Sequence, residues 1–435
     1  MPSHKLLHKS LDEFTTAPVA APAEAGRRLL DVLLRGYDGP VAVRLWDGSY
    51  ARGGADAPAT LSFRRPDPLR DLILHGDLVR LGEAYVLGAV EVDGRMDIAF
   101  DIADFLERRR LPWPERLRLM SIALRLPRTA SRAPLKETRA DGAARANSRA
   151  SIAHHYDVSN DFYRLWLDPE MVYSCAYFRD AAQPLAEAQR DKLDYICRKL
   201  RLEPGQRLLD IGCGWGALAL WAARNYGVDV HGITLSEQQC AHARDRVARE
   251  GFAGRVRIEL RDYRDLPHDA RYDRVVSVGM FEHIGVKNFP VYFGAVKRRL
   301  APGGLFLNHG ITNDSGWVNC ASQRFINRYV FPDGELTRVS TVQAAMEQAG
   351  FEILDVEGLR PHYAMTLRHW LQALEANREH ADAVAGAIVR RIWRLYMAGS
   401  AHYFDQGGLG VYQILAGHQH ARQPLPLRRD DLYHA

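Results

Sequence analysis

The sequence lacks a long hydrophobic run, although 47% of its 435 residues are hydrophobic. A membrane-spanning helix needs about 20 consecutive apolar residues, whereas the apolar run 211–223 contains only 13. The opening residues, MPSHKLLHKSLDEF, also lack the apolar centre of a secretory signal peptide. We therefore expect no transmembrane helix and a cytoplasmic location.

Cysteine is scarce, and its spacing argues against two classes of protein. The five cysteines form neither the paired spacing of a metal site nor a disulfide framework. Reduced thiols are typical of a cytosolic enzyme, and we expect no bound metal. The cysteines are Cys175, Cys197, Cys213, Cys240 and Cys320.

Acidic residues are sparse in one segment, although the net charge of the whole chain is only +5. Residues 108–149 contain twelve Lys and Arg but three Asp and Glu. This imbalance indicates either a contact surface for anionic partners or a solvated linker. No aromatic interleaving or recognised nucleic-acid-binding module accompanies the arginines, so we expect no nucleic-acid partner.

Composition and patterning divide the chain into five segments. Residues 1–26 are rich in Pro and Ala and predict a flexible lead-in. Residues 27–110 predict a small N-terminal domain, 111–150 a basic helix and linker, 151–420 a catalytic domain, and 421–435 a tail without an assigned function.

Strand patterns indicate the fold of the small N-terminal domain. The segment VAVRLWDGSY (41–50) alternates apolar and polar residues and contains an Asp-Gly turn, as a half-buried strand does. The segment GEAYVLGAVEVDG (82–94) again mixes strand residues with turn glycines. Neither contains a cluster of nucleophile, base or metal ligands.

The basic stretch LPWPERLRLMSIALRL (111–126) places apolar residues between arginines. Its apolar positions include Trp113, Leu117, Ile122 and Leu124. One interpretation is a helix that lies on a membrane surface, with arginines that reach the headgroups. The other is a helix whose apolar side packs on a neighbouring domain.

From residue 151 onward, strands and helices alternate, which predicts a doubly wound α/β fold with a mostly parallel sheet covered on both faces. The expected strands are 207–211, 228–233, 256–260, 272–278, 304–308 and 352–357. The expected helices between them include 236–250 and 289–300.

The segment DIGCGWG (210–216) places three glycines directly after the first of these strands and before a helix. Glycine has no Cβ, so such a turn lets backbone N–H groups approach a ligand closely. Ligands of open α/β sheets bind at the carboxyl ends of the strands. The spacing G-x-G-x-G differs from the G-x-G-x-x-G of dinucleotide binders. The segment indicates a ligand site, or alternatively a tight turn without a ligand.

Polar and aromatic residues follow the next three strands. The second strand leads into HGITLSEQQ (231–239), and the third leads to Asp262 and to Tyr263, whose ring suits an adenine. The fourth leads to Glu282 and His283. All of these should lie at the same edge of the sheet as the glycines.

Seven motifs follow one another in residues 150–415: YDVSNDFYRLWLDPEMVYSCAYF, DIGCGWG, GITLSEQQ, DYRDL, VGMFEHIG, HGIT and HYAMTLRHW. In these motifs the chain resembles the cyclopropane-fatty-acyl-phospholipid synthase family of S-adenosylmethionine-dependent methyltransferases. Residues 27–106 also resemble the small N-terminal domain of the phospholipid-acting bacterial members. The resemblance implies a seven-stranded Rossmann-like sheet with an N-terminal α+β domain that serves lipid contact or dimerisation.

The resemblance also implies a reaction. The methyl group of S-adenosylmethionine would be transferred to the cis double bond of an unsaturated phospholipid acyl chain in the bilayer. Attack by the alkene gives a carbocation, which needs a dry, apolar site with aromatic faces. A bound bicarbonate would then take the proton whose loss closes a cyclopropane ring. The family further implies a homodimer that is peripheral to the inner face of the membrane.

Residue by residue, the motifs imply two groups of site residues. The bicarbonate pocket would comprise Cys175, Glu282, His309, Ile311 and Tyr363, with His309 and Ile311 just past the fifth strand. Imidazole, hydroxyl and backbone N–H donors suit a small anion, and Glu282 would orient the anion or fix His309. The cofactor would contact Tyr173, Ser174, Asp210, Gly212, Cys213, Gly214, Gly216, Thr234, Leu235, Gln239, Asp262, Tyr263, Arg264, Val278 and Gly279.

Ser400 stands where some relatives have a cysteine in the late helix RLYMAGSAHYF (394–404). Cys175 has no evident activating partner in the sequence, so we expect non-covalent catalysis.

The segment FINRYVFPDGEL (325–336) allows two interpretations. It is part of the acyl-chain channel, with Arg324 or Arg328 near the phosphate, or it is a plain packing element.

Two other activities remain open at the level of sequence. The same carbocation can lose a different proton or shift a hydride, which gives a methylene- or methyl-branched chain. A small-molecule N-methyltransferase is the second alternative, because some plant enzymes share the fold and the Glu–His pair. Those enzymes typically lack the small N-terminal domain, which makes this alternative weaker.

Overall fold

The computed structural model describes residues 23–127, 159–315, 320–331, 334–422 and 425–433. Their contacts define two compact units. The first contains residues 23–127, 320–330 and 374–402, and the second contains the remaining described residues. Most of the expected lead-in and the linker part of 111–150 lie outside the described residues.

The first unit contains a four-stranded sheet in the order β2-β1-β3-β4. β1 runs parallel to β3, whereas the pairs β1–β2 and β3–β4 are antiparallel. The strands are Val41–Arg44 (β1), Tyr50–Arg52 (β2), Ala59–Phe63 (β3) and Val90–Gly94 (β4). The helices are Ala23–Leu33, Asp67–His75, Leu78–Val86, Met96–Arg108, Trp113–Ala123, Ala321–Tyr329, Arg378–Ala385 and most of Ala387–Gln406.

The strand expected within 82–94 is only partly correct, because its first half is helical. Asp77 caps the helix Leu78–Val86 by accepting a hydrogen bond from the Val79 N–H at 3.1 Å. Tyr85 and Val86 favour strands, but here they are buried in the last helical turn. Their burial outweighs an intrinsic preference that is worth at most about 1 kcal/mol.

The segment that begins at 325 is a packing element in this structure. The Arg324 guanidinium lies 2.7 Å from an Asp77 carboxylate oxygen, and the Arg328 guanidinium lies 2.8 Å from one of Glu83. Phe325 is buried, and its ring lies 3.3 Å from the position that a Cβ on Gly82 would take. Both arginines are thus paired with carboxylates, and the interpretation that places one of them near a phosphate stays a prediction.

The second unit contains a seven-stranded sheet in the order β10-β11-β9-β8-β5-β6-β7. The strands are Arg207–Ile211 (β5), Asp229–Thr234 (β6), Val256–Leu260 (β7), Tyr272–Val278 (β8), Leu300–Asn313 (β9), Phe351–Gly358 (β10) and Leu409–His418 (β11). The helices are Asn160–Arg164, Leu185–Lys199, Ala217–Tyr226, Glu237–Arg249, Phe289–Arg299, Val339–Gln348 and Arg360–Ala376, with 3₁₀ turns at Tyr263–Asp265, Phe281–His283, Val286–Asn288 and Asp430–Leu432. Only β11 runs antiparallel to its two neighbours.

This sheet confirms the predicted fold class, and it corrects two details. β9 continues through His309 and Ile311, so these residues lie inside the strand and not past its end. β11 was not among the expected strands. It enters the sheet between β9 and β10, and its pairing with β9 extends that strand beyond the point where β8 ends.

Helices cover both faces of the large sheet. In β5, Leu208 packs in one apolar cluster, whereas its neighbour Leu209 packs in the other. Successive strand residues point to opposite faces, so burial of both shows that the central strand has no solvent-exposed face. No helix in the described ranges is long and apolar enough to cross a bilayer.

Candidate active site

The glycine-rich turn follows β5, at the centre of the large sheet. Gly212, Gly214 and Gly216 have φ values of +82°, +55° and +85°, a region that side chains with a Cβ rarely adopt. A Cβ on Gly212 would also lie 2.9 Å from Cγ of Met280. The N–H groups of Gly212 and Cys213 both donate to the Ile233 carbonyl at 2.9 and 3.0 Å, which fixes the turn against β6.

A cavity lies over this turn, and we call it the glycine-loop cavity. Twelve of the fifteen residues that the sequence implied for the cofactor line it. They are Tyr173, Ser174, Asp210, Gly212, Cys213, Gly214, Thr234, Leu235, Gln239, Tyr263, Val278 and Gly279. A Cβ on Gly214 would meet no atom within 4 Å, so this glycine keeps the cavity floor open.

Three implied residues do not line the cavity. The Arg264 Nε donates to Asp262 Oδ1 at 2.8 Å, and the same oxygen accepts from the Arg264 backbone N–H at 2.9 Å. These two side chains therefore bind each other beside Tyr263. Gly216 instead occupies the N-cap position before the helix Ala217–Tyr226, and a Cβ there would lie 3.1 Å from that of Ala243.

The polar wall of the cavity is fixed by local hydrogen bonds. Thr234 Oγ1 donates to Gln239 Oε1 at 2.9 Å, and both side chains are buried. Ser236 caps the helix Glu237–Arg249, since its side chain accepts from the Gln239 N–H. The end of β6 and the start of this helix thus form one rigid corner at the carboxyl edge of the sheet.

Lys192 is a cavity residue that the sequence analysis missed. It comes from the helix Leu185–Lys199, is 2% exposed, and donates from Nζ to Ser174 Oγ at 2.8 Å. Burial lowers the pKa of Lys192 to about 8, partly offset by the carboxylates of Asp168 and Asp210. Burial raises the pKa of Asp210 to about 7. A buried cation and a buried carboxyl group thus lie beside the turn. The sequence does not indicate that these two residues are close, because the fold brings them together.

Glu282 lies against the backbone of β9, next to the glycine-loop cavity. Its side chain is 4% exposed, and Oε1 accepts from the Ile311 N–H at 3.4 Å. Oε2 has no hydrogen-bond partner among the described residues. Burial raises the pKa of Glu282 to about 7. A buried carboxyl group in which one oxygen has no hydrogen-bond partner is suited to exchange a proton with a ligand or to accept a hydrogen bond from it.

The lack of a side chain at Gly310 lets Glu282 lie this close to the backbone of β9. A Cβ at this position would lie 2.2 Å from a ring carbon of Phe281 and 2.8 Å from Glu282 Oε2. The backbone of β9 therefore forms the wall against which the Phe281–Glu282 pair packs. The sequence contains this signal in the HGIT motif, where a glycine lies inside a buried strand.

His309 projects to the other face of β9, because it precedes Gly310 in the strand. Gln413 lies opposite it in β11, and Gln413 Nε2 donates to His309 Nδ1 at 3.3 Å. Burial, with Lys192 and Lys199 nearby, lowers the pKa of His309 to about 3, so the ring is neutral. With the Gln413 amide in this orientation the His309 proton is on Nε2, which has no partner among the described residues. Gln413 is a second residue that the sequence analysis did not predict.

Cys175 and the backbone of Tyr363 both contact the Leu359 carbonyl, at the start of the helix Arg360–Ala376. The Leu359 carbonyl accepts from the Tyr363 N–H at 3.2 Å and contacts Cys175 Sγ at 3.8 Å. Leu359 N–H donates to the Val411 carbonyl at 2.8 Å, and Val411 pairs with Ile311 across β9 and β11. The structure therefore connects Cys175, Tyr363 and Ile311 through one short backbone path.

Burial also decides the protonation of two reactive side chains. The Cys175 thiol is fully buried, and burial raises its pKa well above the ordinary value. Burial lowers the pKa of His283 to about 4. The first is therefore a neutral thiol and the second a neutral imidazole at physiological pH, which argues against a thiolate nucleophile. Ser400 is buried within the first unit.

Aromatic rings link the glycine-loop cavity with this region. The rings of Tyr173 and Trp370 have centroids 5.2 Å apart, those of Trp370 and Tyr363 6.0 Å, and those of Tyr363 and Phe404 4.8 Å. Trp370 and Phe404 are almost fully buried. We call these four residues the aromatic wall. Aromatic faces attract positive charge, and more strongly so away from water.

A seven-stranded sheet with a glycine turn after one interior strand, and a polar corner after the next strand along the chain, is the arrangement of methyltransferases that use S-adenosylmethionine. Comparison with known proteins identifies the family. Residues 143–414 match the family model described as mycolic acid cyclopropane synthetase. The chain belongs to this family. Residues 29–104 match a second model, described only as a domain of unknown function.

Three similar proteins illustrate the relationship. A probable fatty acid methyltransferase of Pseudomonas putida is 43% identical over 91% of this chain and 96% of its own. The cyclopropane-fatty-acyl-phospholipid synthase of Escherichia coli K12 is 38% identical over 82% of this chain and 88% of its own. The crystal structure of mycolic acid cyclopropane synthase CmaA1 complexed with SAH and CTAB is 37% identical, with a TM-score of 0.59 over 62% of this chain and 97% of its own.

Proposed function

We propose that this methyltransferase adds the methyl carbon of S-adenosylmethionine across the cis double bond of an unsaturated phospholipid acyl chain and so makes a cyclopropane. The observation that carries the proposal is the aromatic wall, which begins at Tyr173 in the cofactor cavity, together with the buried Glu282 oxygen that has no hydrogen-bond partner in the described chain. The first feature suits a positive charge on hydrocarbon, and the second suits the later removal of a proton. The phospholipid substrate is supported by the name of the Escherichia coli relative.

The glycine-loop cavity fits the cofactor. Open space beside Gly214 gives backbone N–H groups access to a ligand, and Tyr263 offers a ring for an adenine. Ser174, Gln239 and Gly279 would hold the remaining polar groups of S-adenosylmethionine, which supplies an electrophilic methyl group when bound. By holding it in one place, these residues replace a bimolecular encounter with an oriented one.

The aromatic wall would protect the reaction's positive charge. An alkene is a weak nucleophile, and its attack on a methyl group leaves a carbocation that water would quench. Trp370 is 0% exposed and Phe404 is 1% exposed, so this part of the site excludes solvent. Each aromatic face can stabilise a desolvated cation by about 0.5 to 2 kcal/mol.

The groups around β9 fit a small anion such as bicarbonate, which would act as the base for the last proton. His309 offers an Nε2–H donor with no partner in the described chain, and the Ile311 N–H makes only a long bond to Glu282. Glu282 would accept the acidic proton of the anion through its vacant oxygen. The neutral Cys175 thiol is unsuited to be the base, because burial raises its pKa.

A second product has support of its own. The Pseudomonas putida relative covers almost the whole of this chain and is named a fatty acid methyltransferase, not a cyclopropane synthase. The same carbocation gives a methylene or methyl branch if a different proton leaves or a hydride shifts. The residues of the site act in the same way for both products up to the carbocation. The products differ only in how the carbocation then loses its charge.

The decisive experiment uses S-adenosylmethionine with a fully deuterated methyl group and vesicles of a monounsaturated phospholipid. Cyclopropane formation removes one deuteron from the transferred methyl, so the product carries a CD2 group in a ring, which gas chromatography and mass spectrometry identify. Retention of the whole CD3 group would establish a methyl branch, and CD2 in an alkene would establish a methylene branch. Absence of deuterium from the lipid would contradict the proposal.

A further inference from the structure

The helix Trp113–Ala123 and the residue after it carry an unusual concentration of exposed apolar side chains. Trp113, Leu117, Met120 and Leu124 are 66%, 50%, 36% and 61% exposed. They are four of the eight large apolar side chains that are exposed in the described residues. We call these four residues the apolar stripe.

Their spacing places all four on one side of the helix. Steps of four, three and four residues keep them within an arc of roughly 60°, at 3.6 residues per turn. Leu124 follows the last helical residue but keeps right-handed helical dihedral angles (φ −62°, ψ −23°), so it continues the stripe. The stripe is therefore a continuous surface about 16 Å long, at 1.5 Å per residue.

The stripe is not the face by which this helix packs. Leu119 and Ala123 lie on another side and are buried, and the helix contacts the helices Ala23–Leu33 and Asp67–His75. Arg35 and Glu115 form an ion pair at 3.0 Å on the packed side. The helix is thus anchored without its apolar stripe. Within the first unit, Trp113, Leu117 and Leu124 thus take no part in the packing of this helix, and Ile122 is half-buried.

Arginines lie on either side of the stripe. On a helical wheel Arg116 lies about 40° beyond one edge of the arc, and Arg125 and Arg118 lie about 80° and 100° beyond the other. All three are exposed, and the Arg116 guanidinium lies 5.9 Å from the centroid of the Trp113 ring. The one acidic residue of this helix, Glu115, is already paired with Arg35. The surface is therefore apolar at its centre and cationic at its edges.

We propose that the apolar stripe inserts into the headgroup region of a bilayer that contains anionic lipid, with the bordering arginines on the lipid phosphates. Apolar side chains flanked by cations, with a tryptophan among them, suit that environment. A second copy of the chain fits less well, since a symmetric contact between two stripes would bring the arginines of one against those of the other. The choice of a bilayer as the partner rests on the proposed function, because a bilayer contains the proposed phospholipid substrate.

The test measures flotation of the full-length protein with dimyristoylphosphatidylglycerol vesicles. This lipid has no double bond, so the result does not depend on whether methyl transfer takes place. Trp113→Ser/Leu124→Ser should weaken vesicle binding by about tenfold, because binding scales with the apolar area inserted. The matched control is Val291→Ser/Leu427→Ser, which removes two exposed apolar side chains elsewhere and should bind like the wild type.

Further variants and lipids separate the contribution of the arginines from that of the apolar stripe. Arg118→Gln/Arg125→Gln should weaken binding to the anionic vesicles and reduce its dependence on salt. Wild-type protein should bind phosphatidylcholine vesicles more weakly than the anionic ones. Wild-type flotation by Trp113→Ser/Leu124→Ser would overturn the proposal. A change in its oligomeric mass with unchanged flotation would also overturn it, and would assign the stripe to self-association.

Discussion

Glu282 and Ile311 meet across the site, where Oε1 of the carboxyl group lies 3.4 Å from the backbone nitrogen of Ile311 in β9. The contact joins a residue of the 3₁₀ turn Phe281–His283 to a strand that is central to the sheet. It holds one carboxylate oxygen and leaves the other available. Substitutions at Glu282, Gly310, Lys192 and Asp210, and one change of conditions, test how the site works.

Glu282→Gln should nearly abolish methyl transfer, by about two to four orders of magnitude, because an amide cannot take up a proton from the anion. Affinity for S-adenosylmethionine should stay close to the wild-type value, since Glu282 does not line the glycine-loop cavity. Turnover assays and calorimetric titration of the cofactor measure the two effects. Equal losses in both would show that Glu282 is structural.

The same substitution should change how stability depends on pH. Burial raises the folded-state pKa of Glu282 to about 7, from 4.5. Folding therefore favours the protonated form, and the stability present below the unfolded pKa is lost as the pH rises through about 7. In bicarbonate-free buffer, Glu282→Gln should melt progressively higher than the wild type between pH 5 and pH 8. A difference that does not vary with pH would contradict a raised pKa.

Gly310→Ala should damage both the fold and the activity. The new Cβ would lie 2.2 Å from a ring carbon of Phe281, so the Phe281–Glu282 turn must move. Overpacking of this kind costs typically about 1 to 3 kcal/mol in the free energy of unfolding, and the shifted carboxylate should slow turnover. Gly254→Ala is the matched control, since a Cβ there meets no atom within 4 Å. Full activity of Gly310→Ala would mean that the Glu282 position does not matter.

Lys192→Met should destabilise the protein by leaving the Asp210 carboxylate, which is 2% exposed, without its buried cation. Lys192 and Asp210 interact through their charges without a direct ion pair in the described residues, so the loss should be smaller than the about 3 to 5 kcal/mol of a broken buried pair. Lys192→Met/Asp210→Asn should recover much of that loss, because the neutral amide needs no counter-charge. Urea denaturation of both single variants and the double variant gives the coupling. Strictly additive effects would show that the two groups do not interact.

Much of this site follows from local sequence signals. The glycine turn could be predicted because a buried strand, three glycines and a helix lie within a dozen residues of Arg207. β5, β7 and β8 have the expected bounds for the same reason. The polar corner at Thr234 and Gln239 likewise depends on residues that are close in sequence.

The rest depends on contacts between distant residues. β11 begins about 50 residues after β10 ends, and its place between β9 and β10 is set by pairing alone. Gln413 reaches His309 only through that pairing. Lys192 lies in an ordinary amphipathic helix, and nothing in its neighbours shows that it turns toward Ser174. Asp77 and Glu83, the carboxylate partners of Arg324 and Arg328, lie 247 and 245 residues earlier in the chain, so the sequence alone could not indicate these ion pairs.

Dependence of the rate on dissolved bicarbonate tests the central claim most directly. Purified protein is assayed in buffer stripped of carbon dioxide, and bicarbonate is then added back at constant pH and ionic strength, with chloride as the control anion. The arrangement of Glu282, His309 and Ile311 predicts a slow reaction that bicarbonate, but not chloride, restores. A rate indifferent to bicarbonate would contradict the account of how the proton leaves.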